Sequence, residues 1–217
     1  MTSPNTTDSH PSYVPAAGHD WLLPFYDPLW KLLGGQTALE EFVSGAAVEP
    51  GHRVLEIGCG TGNLTLLLKR SQPAAEIVGL DPDPKALARA RVKAESAGLA
   101  IELDRGFSQE LPYPDAAFDR VFSSFMFHHL DAPTKEATLR EVRRVLAPGG
   151  SFHLVDFRER AQGRLARIFH SDHTLRENAE DHVLSLMRSA GLANPHEVGR
   201  HSLLLGGITY YCARAGS

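Results

Sequence analysis

The middle of the chain alternates short apolar runs with longer amphipathic segments. The apolar runs, which predict strands, cover residues 53–57, 76–80, 100–104, 119–123 and 151–156. The amphipathic segments, which predict helices, cover residues 63–70, 83–97 and 131–146, and the Pro-Gly-Gly at 148–150 predicts a turn. Regular alternation of this kind indicates parallel strands joined by crossover helices that cover both faces of a sheet.

The last part of the chain has a different pattern. Residues 180–190 predict a helix that stops at Gly191. Two apolar runs follow, at 198–205 and 208–213, and the two glycines between them predict a hairpin. We therefore expect the final two strands to be antiparallel to each other.

The first residues divide into two segments. Residues 1–17 are rich in Ser, Thr, Pro and Asn and predict a disordered tail. Residues 18–48 are apolar and aromatic, with prolines that break short helices and a longer helix predicted at 36–46. We expect these residues to form a helical cap on a single domain that extends over 18–217.

Composition narrows the classes of partner. The chain has 217 residues, 42% of them hydrophobic, with a formal net charge of -4, which is typical of a globular domain and gives no electrostatic footprint for nucleic acid. No apolar run approaches the roughly 20 residues that span a bilayer. Two cysteines, Cys59 and Cys212, are too few for a disulfide framework and indicate a reducing cytoplasm. We expect a monomer or a homodimer.

A glycine-rich turn follows the first strand of the core. Gly58, Gly60 and Gly62 begin the next helix, an arrangement used for dinucleotides and for adenosylmethionine. The third glycine of the dinucleotide pattern would fall at position 63, which is Asn63. Glu56, two residues before the turn, would repel a pyrophosphate but would accept the ammonium group of a methionyl moiety.

A second acid ends the second strand. Ligands of open α/β sheets bind at the carboxyl ends of the strands, and Asp81 is placed there. Its carboxylate could accept both hydrogen bonds of a ribose diol. That contact suits NAD as well as adenosylmethionine, so Asp81 indicates a nucleoside without choosing between the two.

Five motifs occur in order between residues 51 and 157. They are VLEIGCGTGNLT, GLDPD, LPYPDAAFDRV, HHL and LREVRRVLAPGGSFHLVDF. Together they resemble the class I adenosylmethionine-dependent methyltransferases, in particular the group that resembles the ubiquinone/menaquinone-biosynthesis C-methyltransferases. The resemblance implies adenosylmethionine as the cofactor and an α/β, Rossmann-like sheet of seven mostly parallel strands whose last strand is antiparallel, with helices on both faces and an N-terminal helical lid.

The resemblance also implies roles for individual residues. It assigns cofactor binding to Glu56, Gly58, Cys59, Gly60, Gly62, Asp81, Pro82, Phe107, Ser108, Ser123 and Ser124. Phe107 stands where relatives often carry an Asp that binds the adenine amino group. Either Ser108 or Gln109 takes over that polar contact, or Phe107 stacks on the adenine ring. Cys59 is interpreted as a small packing residue.

The catalytic residues are harder to predict. Methyl transfer from a sulfonium is an in-line displacement in which the protein supplies positioning and excludes water, so no obligatory signature exists. The candidates are His128, His129, Asp156 and Tyr26. His170 and His173 raise the question of a metal, but spacing alone does not show convergence, and we expect none.

The acceptor is expected to be a small molecule, because the segment between the fifth strand and the last helix is too short for an added substrate domain. Phe122, Phe125, Met126 and Phe127 suggest that it is apolar. Two alternatives remain at this point. The chain could be an NAD(P)-dependent oxidoreductase, or a catalytically silent methyltransferase fold that serves as a binding module.

Overall fold

The computed structural model describes residues 35–157, 180–203 and 206–216. The predicted tail at 1–17, most of the predicted cap with Tyr26, and the segment with His170 and His173 lie outside the described residues. Predictions made for those parts therefore stay predictions, as do the domain boundaries built on them.

Seven strands form a single sheet, in the order β3-β2-β1-β4-β5-β7-β6. They are β1 (Arg53–Ile57), β2 (Glu76–Asp81), β3 (Glu102–Arg105), β4 (Phe118–Ser124), β5 (Leu146–Phe157), β6 (Ala193–Leu203) and β7 (Gly206–Arg214). The first five strands pair in parallel, whereas β7 pairs antiparallel with both β5 and β6. The predicted fold class is thereby confirmed, including the final hairpin.

The helices lie close to their predicted positions. They are α1 (Gly35–Ser44), α2 (Asn63–Ser71), α3 (Pro84–Ser96), α4 (Ala132–Val145) and α5 (Glu180–Ser189), with a 3-10 helix at Phe127–His129. The side chains of Asp83 and Asp131 cap α3 and α4 by accepting hydrogen bonds from Lys85 N–H and Thr134 N–H. Each cap is followed by a proline in the first turn, where its missing N–H costs nothing.

Both faces of the sheet are covered, because adjacent residues of a buried parallel strand point to opposite sides. Leu55 of β1 belongs to a core that includes Leu139 of α4 and Met187 of α5. Val54, the preceding residue, belongs to a second core that includes Phe42 of α1 and Leu68 of α2. Each face thus has its own helical layer, as the strand–helix alternation predicted.

Two strands begin earlier than the sequence indicated. β5 begins at Leu146, so the Pro-Gly-Gly forms an irregularity within the strand and not a separate turn; Phe118 pairs with Leu146 and Arg120 with Ser151. β6 begins at Ala193 although Pro195 interrupts its pattern. Because β6 is an edge strand with register shifts near its start, it tolerates a proline that an inner strand would not.

Candidate active site

A cavity of about 480 Å³ opens at the carboxyl ends of the central strands. Its wall consists of the turn after β1, the end of β2, the loop after β3, the residues that follow β4 and the start of α4, with Leu39 of α1. A volume of about 300–1,000 Å³ is usual for small-molecule sites. The cavity therefore lies where an open α/β sheet binds its ligands.

The glycine turn is fixed to β2 by backbone hydrogen bonds. Gly58 N–H and Cys59 N–H both donate to the carbonyl oxygen of Leu80, at 2.7 and 3.0 Å. Gly58 has φ +69°, and a Cβ at this position would lie 2.3 Å from Cγ of Met126. Only glycine permits both this backbone conformation and the close approach of the methionine.

Two other residues of the turn, Gly62 and Cys59, have structural roles. Gly62, at φ +81°, leaves room for Ala90 of α3, since an added Cβ would lie 2.9 Å from the alanine Cβ. Gly62 is buried and does not line the cavity. Cys59 does line it, but the residue is only 5% exposed, and burial raises the pKa of its thiol. A neutral, buried thiol agrees with the packing interpretation.

Glu56 is a buried carboxylate in the cavity wall. Ser124 Oγ donates to Glu56 Oε1 at 2.8 Å, and Thr65 Oγ1 donates to Glu56 Oε2. Burial raises the pKa of Glu56 to about 7, although the hydrogen bonds from the two hydroxyls act in the opposite direction. A buried acid of this kind gains from a cationic ligand, because the cation replaces the solvation that the carboxylate has lost.

Asp81 is the second acid in the wall. Gly60 N–H donates to its Oδ2 at 2.8 Å and Asp83 N–H donates to its Oδ1 at 2.9 Å. Burial raises its pKa to about 6. Each oxygen keeps a further lone pair, so the carboxylate can still accept the two hydrogen bonds of a diol.

The loop after β3 supplies the part of the wall predicted to meet adenine. Phe107, Ser108 and Gln109 all line the cavity, together with Pro82 at the end of β2. The hydroxyl of Ser108 is hydrogen-bonded to Thr138 Oγ1 at 2.8 Å. Phe107 and Gln109 thus both line the part of the wall to which the resemblance assigns the adenine ring.

The two serines that end β4 occupy different environments. Ser124 lines the cavity and binds Glu56, whereas Ser123 is fully buried and does not line the cavity. Alternation along the strand explains the difference, because consecutive side chains point to opposite faces. The predicted contact of Ser123 with the methionyl moiety therefore has no support in the geometry.

The two histidines that follow β4 also occupy different environments. His129 lines the cavity, while His128 is buried behind it and donates from Nδ1 to Asp156 Oδ1 at 2.6 Å. The two imidazole ring centres are 4.0 Å apart. Burial alone would raise the pKa of Asp156, but the charge of His128 and its hydrogen bond hold that pKa below its usual value. Neither His128 nor Asp156 lines the cavity, so of the three only His129 is placed to touch a ligand.

The part of the chain that forms most of the cavity wall also resembles known proteins. Residues 54–150 match the model of a family described as a methyltransferase domain. A demethylmenaquinone methyltransferase of Thermus thermophilus is 37% identical over 151 residues, which cover 68% of this chain and 68% of that protein. This chain belongs to the methyltransferase family.

Other relatives agree. A demethylmenaquinone methyltransferase of Deinococcus radiodurans is 41% identical over 118 residues, covering 54% of this chain and 48% of the relative, so the match spans about half of its length. The crystal structure of an adenosylmethionine-dependent methyltransferase from Aquifex aeolicus superimposes with a TM-score of 0.63 at 22% identity, covering 85% of this chain and 90% of that one. At that identity the structural likeness supports the fold alone.

The methyltransferase uses adenosylmethionine as its cofactor, and the residues present fit that group. Gly58 lets Met126 pack closely against the turn, which a side chain at position 58 would prevent. The buried carboxyl groups of Glu56 and Asp81 are of the chemical type that binds an ammonium group and a diol. The alternative of a nicotinamide enzyme loses its basis, since the family match and Glu56 favour the same cofactor. Among residues 35–157, 180–203 and 206–216, no group of three His, Cys, Asp or Glu is arranged to hold a metal ion. No helix in the described part of the chain is long and apolar enough to cross a membrane.

Several residues that line the cavity or hold its wall in place were not predicted from the sequence. Leu39 of α1 contributes to the cavity, and Thr65 of α2 binds Glu56 from outside it. Thr65 carries a hydroxyl in the first turn of the helix that follows the glycines, on the side that faces β1. That position was the sequence feature from which its hydrogen bond to Glu56 could have been predicted. Phe125 and Met126 were recognised as apolar, but nothing in their spacing showed that they line the methyltransferase cavity.

Proposed function

We propose that this methyltransferase transfers the methyl group of adenosylmethionine to a small, apolar acceptor of the quinone type, in its reduced, hydroxyl-bearing form. The observation that carries the proposal is the composition of the cavity wall. The same cavity contains the acids Glu56 and Asp81 and an apolar set formed by Leu39, Phe125, Met126 and Leu130. Polar groups suit the cofactor, and the apolar set suits the acceptor.

Each part of the cofactor has its own contacts in the proposed complex. Glu56 binds the ammonium of the methionyl moiety, and Asp81 binds the ribose hydroxyls. Pro82 and Phe107 enclose the adenine ring, with Gln109 at its polar edge. Gly58 and Gly60 allow the backbone to lie close to the cofactor, while Ser124 positions Glu56 through their hydrogen bond. The cofactor, when bound, supplies the electrophilic methyl carbon.

The acceptor half rests on two supports. The relatives from Thermus thermophilus and Deinococcus radiodurans are named demethylmenaquinone methyltransferases. The apolar side chains of the wall provide the desolvated surface that such a ring and its hydrocarbon substituent would bury. A small-molecule acceptor also agrees with a cavity of this size.

The reaction is a displacement at the methyl carbon. The acceptor forms a bond to that carbon, the carbon–sulfur bond breaks with its electron pair returning to sulfur, and adenosylhomocysteine leaves. The acceptor must also lose a proton, and we assign its removal to His129, which passes the proton to water. His128 and Asp156, paired behind His129, position it. Tyr26, outside the described residues, stays a prediction.

Methyl transfer from isotopically labelled adenosylmethionine tests the proposal. A reduced demethylnaphthoquinone with a short prenyl chain should be methylated, and its oxidised form should not, since only the reduced form carries a hydroxyl proton to lose. Asp81→Asn should weaken cofactor use, while Glu136→Ala, an exposed acid on α4, serves as the matched control. Binding of adenosylhomocysteine without methylation of the reduced quinone would refute this acceptor class. Failure with every acceptor tried would instead favour the silent binding module.

A further inference from the structure

Phe125 has a backbone conformation that phenylalanine rarely adopts. It follows β4 with φ +53°, in the left-handed region that favours glycine and asparagine. Ala47, Ala116 and Asn194 are the other non-glycine residues with positive φ in the described part of the chain, and none of them lines the cavity. The strained residue therefore coincides with the proposed site.

Contacts of Phe125 and of the residues before and after it hold the backbone in this conformation. Ser124, the preceding residue, donates to Glu56, and Phe125 N–H donates to the carbonyl oxygen of Val155 at 3.0 Å. Met126, the following residue, packs so closely on Gly58 that a Cβ there would clash with it. Contacts with β1, the glycine turn and β5 thus fix the backbone in this conformation.

Glycine would make the same turn without strain, so the turn itself does not explain why a phenylalanine stands there. Strained residues that the surroundings hold in place tend to occur where a side chain must be aimed at a ligand. Phe125 lines the cavity, and the centre of its ring lies 5.1 Å from that of the Phe157 ring. Its neighbours in sequence contact Glu56 and Gly58, to which the proposed function assigns the methionyl part of the cofactor, so Phe125 belongs to the same region of the cavity wall.

We propose that Phe125 is a specificity-determining residue that selects flat, unsaturated acceptors by packing its ring against them. The inference rests on the proposed function and deepens it, because it says which feature of an apolar acceptor the cavity reads. Aromatic rings interact favourably in offset-stacked or edge-to-face arrangements beyond the burial of their area. A saturated ring of the same size buries similar apolar area but lacks that interaction.

Three variants of Phe125 distinguish the effect of its aromatic ring from the effect of its apolar volume. Phe125→Tyr keeps the flat face, Phe125→Leu keeps apolar bulk without it, and Phe125→Gly removes both while relieving the backbone. Ala116→Gly is the matched control, since Ala116 has φ +55°, is exposed and does not line the cavity. KM is measured for a reduced naphthoquinone and for its analogue with the second ring saturated.

The hydroxyl-bearing ring is aromatic in both acceptors, so they differ only in the second ring. The parent and Phe125→Tyr should prefer the acceptor in which both rings are aromatic. Phe125→Leu and Phe125→Gly should raise its KM at least tenfold, leave the KM of the saturated analogue within about twofold and keep the affinity for adenosylhomocysteine within about threefold. Ala116→Gly should match the parent throughout. Retention of the preference by Phe125→Leu, or a tenfold loss of adenosylhomocysteine affinity, would overturn the inference while leaving the proposed function intact. If the parent methylates neither acceptor, the proposed function fails and the inference falls with it.

Discussion

His128 donates a 2.6 Å hydrogen bond to Asp156, and both side chains are almost completely buried. The bond joins the 3-10 helix after β4 to the end of β5. It therefore fixes the backbone next to His129, which lines the cavity. Because neither residue lines the cavity, we propose that the pair acts on the site by fixing this backbone and not by contact with a ligand.

Asp156→Ala should lower the free energy of unfolding by about 3–5 kcal/mol, because it leaves His128 buried without its carboxylate partner. The double variant with Asp156→Ala and His128→Ala should lose less stability than the sum of the losses in the two single variants, by about 0.5–3 kcal/mol. Urea denaturation of the four proteins provides the measurement. The exposed pair of Glu136 and Arg140 is the control, and its removal should change stability by no more than about 1 kcal/mol. Strictly additive effects for His128 and Asp156 would contradict a coupled pair.

The buried acids predict how stability depends on pH in the absence of ligand. Because the pKa of Glu56 is raised to about 7 and that of Asp81 to about 6, the folded protein binds protons more tightly than the unfolded chain. This stabilising contribution is fully present below the unfolded pKa values and is lost as pH rises through the folded ones. At about 1.36 kcal/mol per pKa unit, the contribution of the two acids to the free energy of unfolding should therefore fall by roughly 5 kcal/mol between about pH 4 and pH 8. Glu56→Gln should flatten this decrease; an unchanged slope would show that Glu56 is ionised throughout.

The same acid predicts a proton release on binding. If the ammonium of adenosylhomocysteine pairs with Glu56, the carboxylate form is favoured and the proton leaves. Calorimetric titrations near pH 7 in two buffers of different ionisation enthalpy should reveal the release, and affinity should rise with pH up to about 8. Glu56→Gln should abolish both effects. Equal heats in the two buffers for the parent protein would place the ammonium elsewhere.

Asp81→Asn should weaken adenosylhomocysteine binding at least tenfold, about 1.4 kcal/mol, because two ribose hydroxyls lose a charged acceptor. The amide also offers one oxygen where Gly60 N–H and Asp83 N–H now use two. Isothermal titration measures the affinity, with Glu136→Ala as the variant of an acid outside the cavity. Binding as tight as that of the parent, in a variant that melts normally, would remove Asp81 from the ribose site.

Gly58→Ala should destabilise the protein by more than the roughly 1 kcal/mol expected for backbone strain alone, since its Cβ would meet Met126 at 2.3 Å. Gly98→Ala isolates the strain, because Gly98 has φ +62° and nothing lies within 4 Å of the added Cβ. The added Cβ would also lie 2.7 Å from Cβ of Met126, so Met126→Gly is the change that removes both close contacts. Measured in the Met126→Gly background, the loss of stability caused by Gly58→Ala should fall to that caused by Gly98→Ala. Thermal denaturation of these variants measures the loss of stability. Similar losses for Gly58→Ala and Gly98→Ala would show that the Met126 side chain moves aside at no cost.

The sequence predicted the strands with a regular pattern and the glycine turn, because those depend on local spacing. It could not predict which of Ser123 and Ser124 lines the cavity, since that depends on the phase in which β4 ends. The same difficulty applied to His128 and His129, because neighbouring residues of a 3-10 helix point about 120° apart. The conformation of Phe125 was also beyond prediction, as contacts from β1 and β5 impose it against the preference of the residue itself.

β7 lies between β5 and β6 in the sheet, although it follows both along the chain. A ribosome therefore releases β5 and β6 before the strand that joins them, and each emerges with an unpaired edge. Such edges bind other extended chains, so a nascent molecule is open to aggregation, and to capture by chaperones, until β7 arrives. β7, the last of these seven strands along the chain, completes the inside of the sheet and not its border, so β5 and β6 stay unconnected in the sheet until β7 has been synthesised.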